Sequence, residues 1–143
     1  MFNYILNSVR LITIEIARLE DLSIQMQKTH DCERKRQYEE FLKLLKRERK
    51  DLLDKYNPIT IIDEIKFSRE VDKDDDERVM AKLYYIEGKS WKDAYYGTEE
   101  YLDFEDEKFD DIEAEKIIKN KCDNHQRNIE RKVNVFNSFN KKK

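Results

Sequence analysis

The chain is expected to be all-α. It has only 2 Gly and 1 Pro in 143 residues, 43% of its residues are charged, and its apolar residues recur at intervals of three and four. A β-sandwich, a barrel or a doubly wound α/β fold needs many tight turns, for which two glycines and one proline are too few. The 29 Lys+Arg and 32 Asp+Glu nearly cancel, to a net charge of −3. With 11% aromatic residues available for a core, so many charges suit the outer faces of long amphipathic helices better than a disordered chain.

From the N-terminus, Ile5, Val9, Ile12, Ile16, Leu19 and Met26 follow a seam of fours and threes that predicts a helix over about residues 2 to 28. A polar joint, Thr29 to Cys32, precedes a second pattern at Tyr38, Leu42, Leu45, Leu52 and Tyr56, widened by Phe41, Leu44 and Leu53. This predicts a second helix over 33–56, long enough to fold back on the first as an antiparallel hairpin, with dimerisation through a four-helix arrangement as its functional counterpart. In its middle, Arg47 and Asp51 stand four apart and are expected to pair on a solvated face.

Asn57-Pro58 ends that helix and opens the next element, because the residue before proline is driven out of the α region. Ile59 to Phe67 is β-branched and apolar, which suits a helix or a strand; context favours a short helix. Val71 to Asp76 reads as a polar, acidic linker. Glu77 to Glu87 then carries Val79, Met80, Leu83, Tyr84 and Ile86 at helical spacing, with Gly88 placed to end the helix in a left-handed conformation. Ser90 and Asp93 form a capping box that starts another helix, with Tyr95 and Tyr96 toward the core and Gly97 as its stop.

The segment 99–115 holds Glu99, Glu100, Asp103, Glu105, Asp106, Glu107, Asp110, Asp111, Glu113 and Glu115 against a single Lys108, interleaved with aromatic and aliphatic residues. Residues 116–143 reverse the sign, and Ile117, Ile118, Ile129, Val133 and Phe136 support one or two helices there. The expected organisation is a helical hairpin over 1–57, a connector over 58–75 and a helical domain over 76–143 with an acidic insertion at 98–115.

No run of about 18 uninterrupted apolar residues exists, since Arg10, Glu15, Arg18, Glu20 and Asp21 break the first stretch, so no spanning helix is expected. Two cysteines, Cys32 and Cys122, do not make a disulfide framework and fit a reducing cytosol, which makes the expected location cytoplasmic. Each lies near one of the two histidines, His30 and His125, so the four could form a zinc site; chance pairing in polar turns is the more frequent explanation, and no metal or other cofactor is expected. A Cys/His nucleophile pair lacks an evident oxyanion donor, and the expectation is a non-enzymatic protein.

The run from Glu77 to Asp93, with Tyr85-Ile86-Glu87-Gly88-Lys89-Ser90-Trp91 at its centre, resembles the helix-turn segment of phage late-gene activators of the RinA and ArpU type, which are related to sigma factor region 4. The resemblance covers about residues 76 to 94, with a weaker echo at 122 to 136. It implies a DNA-binding transcriptional regulator acting in a host cytosol, with a modified helix-turn-helix in the C-terminal half. The sequence departs from the pattern where the acidic stretch replaces the short turn before the recognition helix. The nearest recognition helix is then 123–132, with Asp123 as its cap, Gln126 and Asn128 probing bases, and Arg127, Arg131, Lys132 and the tail Lys141 to Lys143 contacting phosphates.

The acidic segment supports a different class of function. Carboxylates on an aromatic-anchored element imitate phosphates, so Asp103, Asp106, Glu107, Asp110 and Asp111 are candidates for binding a host protein such as RNA polymerase or a defence nuclease. The plainer alternative is that these acids pair with the protein's own basic C-terminal segment.

Overall fold

Helix α1 (Phe2–Lys28) opens the chain in the computed structural model, which describes residues 2–105, 107 and 109–141, with side chains placed through Phe136. It is followed by α2 (Cys32–Tyr56), α3 (Pro58–Glu64), α4 (Val71–Tyr85), α5 (Trp91–Tyr96), α6 (Glu99–Glu105) and α7 (Asp111–Lys141). Every regular element among the described residues is an α-helix. None of these helices is long and apolar enough to cross a membrane.

Near its N-terminus α1 buries Phe2, Ile5, Leu6 and Val9 in the main core, among Ile62 of α3, Met80 and Ala81 of α4, and Ile129 and Val133 of α7. Residues from each of the three expected segments thus share one core. Farther along, α1 buries only Leu19 and Ser23, where it lies against α2, and Leu42 is the one buried residue of α2. The two helices are joined at a tight turn in which His30 adopts a positive φ of 60° and Asp31 caps α2 by accepting the Arg34 N–H at 3.2 Å. Lys46 pairs with Glu20 across the helices at 3.2 Å, whereas the expected Arg47–Asp51 pair does not form: both side chains are exposed and reach into solvent.

Between α3 and α4 the chain is extended at Ile65, and Ile65 and Phe67 are buried while Lys66 between them is exposed. The β-branched residues Ile59 to Ile62 are helical, in α3, and the extended backbone is confined to the short connection after it. The expected linker 71–76 is instead the start of α4. Asp74 accounts for the difference: its carboxylate accepts the N–H groups of Phe67 at 2.7 Å and Ser68 at 3.1 Å, and Arg78 clamps it at 2.9 Å while also reaching the Ile65 carbonyl. Burial raises the Asp74 pKa, but these donors outweigh it and hold the group below its usual value. Asp72 and Asp74 also lie at the positive end of the helix, where acids are favoured.

The other end of α4 docks on α1 and α2. Arg10 donates to the carbonyls of Tyr84 and Lys89, each at 2.6 Å, and Arg49 donates to the Ile86 carbonyl at 2.9 Å and to the Thr13 hydroxyl at 2.8 Å. Two cations from other helices therefore satisfy the carbonyls that the end of α4 leaves open. The Arg10 guanidinium also lies 3.6 Å over the Tyr84 ring, which stacks on Trp91 at 3.8 Å. Gly88, at φ +73°, makes this approach: a Cβ there would stand 3.2 Å from Thr13 Cγ2 and 3.3 Å from Ile14 Cγ1. Ser90 caps α5 by accepting the Asp93 N–H at 3.1 Å.

Helix α7 runs unbroken through 31 residues. A separate helix beginning at Asp123 does not exist, and Asp123 is mid-helix rather than a cap. The reason lies in the stripe Ile118, Cys122, His125, Ile129, Val133, Phe136, which keeps one face inward across the expected boundary. The cap is Asp110, whose carboxylate accepts the Glu113 N–H at 2.8 Å. The acidic segment is therefore no featureless insertion: it supplies α6, the connection and the first turn of α7.

Replacing Gly88 with Ala should destabilise the protein by about 1–2 kcal/mol, through the left-handed φ and the crowding against Thr13. Arg10→Met should cost about 2 kcal/mol by leaving two carbonyls without their charged donor. Urea denaturation of both variants measures these losses.

Candidate functional site

Two features of the C-terminal half carry unusual chemistry: a buried polar cluster and an acidic corner. The cluster centres on His125, which is inward because it occupies a core position of the α7 stripe. Its Nδ1 lies 3.0 Å from a Glu77 carboxylate oxygen on α4, and its Nε2 lies 2.5 Å from a Glu100 oxygen on α6. Asn128, one turn along, donates its amide to the Phe67 carbonyl at 2.7 Å and to the other Glu77 oxygen at 2.6 Å. Asp76 accepts the Glu99 N–H at 3.1 Å and so also fastens α6 to α4.

With a carboxylate at each ring nitrogen, both nitrogens can donate only if the imidazole is protonated. Burial alone lowers the His125 pKa, but the hydrogen bonds and charges of Glu77 and Glu100 overcome this and raise it above the ordinary value of 6.5. Asp76 is also raised, by burial first and by the charge of Glu100, and the Glu99 N–H offsets only part of that. Tyr95 packs its ring 6.0 Å from His125 and is itself buried, and its hydroxyl has no hydrogen-bond partner among the described residues. The cluster is a tie between α4, α6 and α7. Among the described residues the imidazole nitrogens are hydrogen-bonded by carboxylates and by no hydroxyl or thiol, and burial pushes the Cys122 thiol up.

The zinc arrangement does not assemble. His30 and Cys32 sit at the turn between α1 and α2, both nitrogens of His125 are taken by carboxylates, and no group of three or more His, Cys, Asp or Glu among the described residues is placed to hold a metal ion.

The acidic corner comprises α6 and the start of α7. Phe104 anchors it, buried and stacked on Phe109 with ring centroids 5.2 Å apart, and Lys121 lies 5.5 Å over the Phe104 ring. Glu100 turns inward to His125 and to Lys121 at 3.9 Å, and it is the only acid of this segment that pairs with the basic stretch of α7 among the described residues. Asp103, Glu105, Glu107, Asp111 and Glu113 are exposed and enter no ion pair among the described residues. Among them Leu102, Phe109 and Ile112 are 57%, 40% and 71% exposed. Of the residues expected to bind a protein, Asp103, Glu107 and Asp111 thus lie on an open surface, Asp110 uses its carboxylate to cap α7, and Asp106 lies outside the described residues.

The residues expected to bind DNA are scattered around α7. Arg127 and Arg131 are exposed but hydrogen-bond their own helix, to Asn124 and Asn128, each at 2.7 Å. Gln126 donates to Glu130 at 3.0 Å and lines a cleft with Trp91, Tyr96 and Cys122, and Lys132 is half-buried. Asn128 points inward, as described, so its amide is not available to a base. Lys142 and Lys143 lie outside the described residues, as does the Lys141 side chain. No family model, curated protein or solved structure matches the chain.

Sequence reasoning missed the partners of His125. Glu77 is 48 residues away and Glu100 is 25 away, and only the register of His125 with Cys122 and Ile129 signals that its ring faces the core.

A raised His125 pKa stabilises the fold most below about pH 6.5, and that contribution is lost as pH rises through the higher folded-state value. Asp76, also raised, acts in the same direction from about pH 3.8 upward. In urea denaturation followed from pH 6 to 9, wild type should lose stability with rising pH, and His125→Gln should flatten that dependence.

Proposed function

We propose that this chain is a non-enzymatic binding protein, a small phage-type inhibitor that engages a host protein through the acidic corner of α6 and the first turn of α7. The observation that carries this reading is the lack of intramolecular neutralisation among the described residues. The chain has a basic segment close by, yet among the described residues only Glu100 meets its cations. Asp103, Glu105, Glu107, Asp111 and Glu113 are exposed in the same segment as exposed Leu102, Phe109 and Ile112, and exposed apolar residues interleaved with charge suit a protein-binding surface. The partner this chemistry suits is a defence or transcription protein whose basic groove otherwise holds nucleic acid.

A second reading, a duplex-DNA regulator of the late-gene activator type, draws on the order of α4, the Gly88 turn, the Ser90 cap and α5. It also draws on Arg127 and Arg131, exposed on α7. We read α4, α5 and α6 as a modified helix-turn-helix and α1 with α2 as its helical hairpin. The helix that follows α5, across the short turn at Gly97-Thr98, is then α6, and its Glu99, Asp103 and Glu105 would face phosphates with like charge. That electrostatic conflict favours the protein partner.

Two measurements separate the readings. In a pulldown from host lysate, wild type should retain a partner that Asp103→Asn/Glu107→Gln/Asp111→Asn/Glu113→Gln loses; equal retention by both removes the corner from the mechanism. In fluorescence anisotropy with labelled duplex DNA, no binding is expected even at low salt. Binding that weakens steeply with salt, and that Arg131→Ala reduces, would establish the DNA reading instead.

A further inference from the structure

Helix α2 carries a second patterned surface outside its contact with α1. Arg34, Gln37, Phe41, Leu44, Glu48 and Asp51 alternate spacings of three and four, the pattern of a coiled-coil seam, and all six are exposed. At the centre, Phe41 is 55% and Leu44 62% exposed, although neighbouring Leu42 is buried against α1.

We infer that this stripe is a homodimer seam in which α2 packs antiparallel on α2 of a second copy. The argument is charge complementarity. Antiparallel coiled coils stack one seam position against the other, so the layer at the two-fold axis sets Phe41 against the partner's Leu44. That single choice fixes the remaining layers: Arg34 falls opposite the partner's Asp51, and Gln37 opposite the partner's Glu48. On the flank, Glu40 falls beside the partner's Arg47. Each of these contacts occurs twice by symmetry. The seam spans about 26 Å from Arg34 to Asp51, at 1.5 Å per residue.

Within one chain Glu40, Arg47, Glu48 and Asp51 enter no ion pair among the described residues, and Arg34 makes only a 3.6 Å contact with its cap, Asp31. The opposite charges are therefore present, and all but Arg34 are uncommitted among the described residues. A parallel seam would instead stack Arg34, Glu48 and Asp51 each on its own copy, with like charges facing. The antiparallel register has one like-charged contact, Glu33 beside the partner's Asp54, at the outer end where Arg34 and Lys55 adjoin it. The seam shares no residue with α6 or α7, so a dimer would present two acidic corners, and its existence does not depend on what those corners bind.

Sedimentation equilibrium of the full chain over a concentration series tests the seam. Wild type should dimerise, and Phe41→Glu/Leu44→Glu should be monomeric with unchanged helical circular dichroism, since neither side chain is in the core. Arg34→Asp and Asp51→Arg should each raise the dimer Kd about fivefold or more, and the two together should restore it. In a Cys32→Ser background, oxidising a mixture of Phe41→Cys and Leu44→Cys chains should give mainly the mixed disulfide. A wild type that stays monomeric throughout, a failure of the charge swap to rescue, or a preference for like-with-like disulfides would each overturn the proposal.

Discussion

The end of α4 is where the fold is held together. A helix leaves carbonyls unpaired at its C-terminus, and here they point into a crowded junction rather than into open water. Arg10 from α1 and Arg49 from α2 supply the donors, and Arg10 adds a stack over Tyr84 and Trp91. The left-handed Gly88 lets the chain turn close against Thr13 and Ile14. Because these contacts come from three separate parts of the chain, the long α1–α2 pair and the short C-terminal helices cannot be treated as independent bodies. The same turn places Ser90 at the head of α5 and so sets the direction in which α5 and α6 leave.

The buried cluster of Glu77, His125, Glu100 and Asn128 does the corresponding work at the far side of the core. Buried charge is costly unless every group is paired, and here the imidazole lies between two carboxylates, which raise its pKa and favour the protonated form that can donate to both. The arrangement explains why one acid of the acidic segment, Glu100, is withdrawn from the surface while its neighbours remain outside. It also fixes α6 in place, so the carboxylates of the corner are presented on a positioned helix instead of a loose loop. Structural electrostatics and candidate binding electrostatics are thus divided within seven consecutive residues of α6.

Two expectations gave way for the same reason. The acidic run at 71–76 reads as a linker, and the polar run at 123–132 as a separate helix with Asp123 as its cap, because local composition favours solvent there. In the structure the first begins α4 and the second lies inside the unbroken α7, since Asp74 captures two backbone N–H groups and an arginine, and since His125 and Asn128 find partners on α4 and α6. Polar residues that read as surface or base-contacting types can serve as internal fasteners once a distant segment supplies the complementary group. Arg131 and Arg127, by contrast, stay outside and bond only their own helix.

The sequence alone determined the all-helical class, the extents of α1 and α2, the left-handed end at Gly88 and the cap at Ser90. Each of these depends on residues within a few turns of one another: apolar spacing, the missing side chain of glycine, a hydroxyl three residues before the N–H it accepts. Tertiary structure decided which acids face solvent, that α7 is one helix, and that His125 and Asn128 point inward. Those outcomes depend on groups 25 to 61 residues apart, whose approach no local pattern encodes. The balance between hydrating a polar side chain and pairing it is settled only when its partner arrives, and for this chain that pairing separates the tie that holds the core from the carboxylates left free to bind.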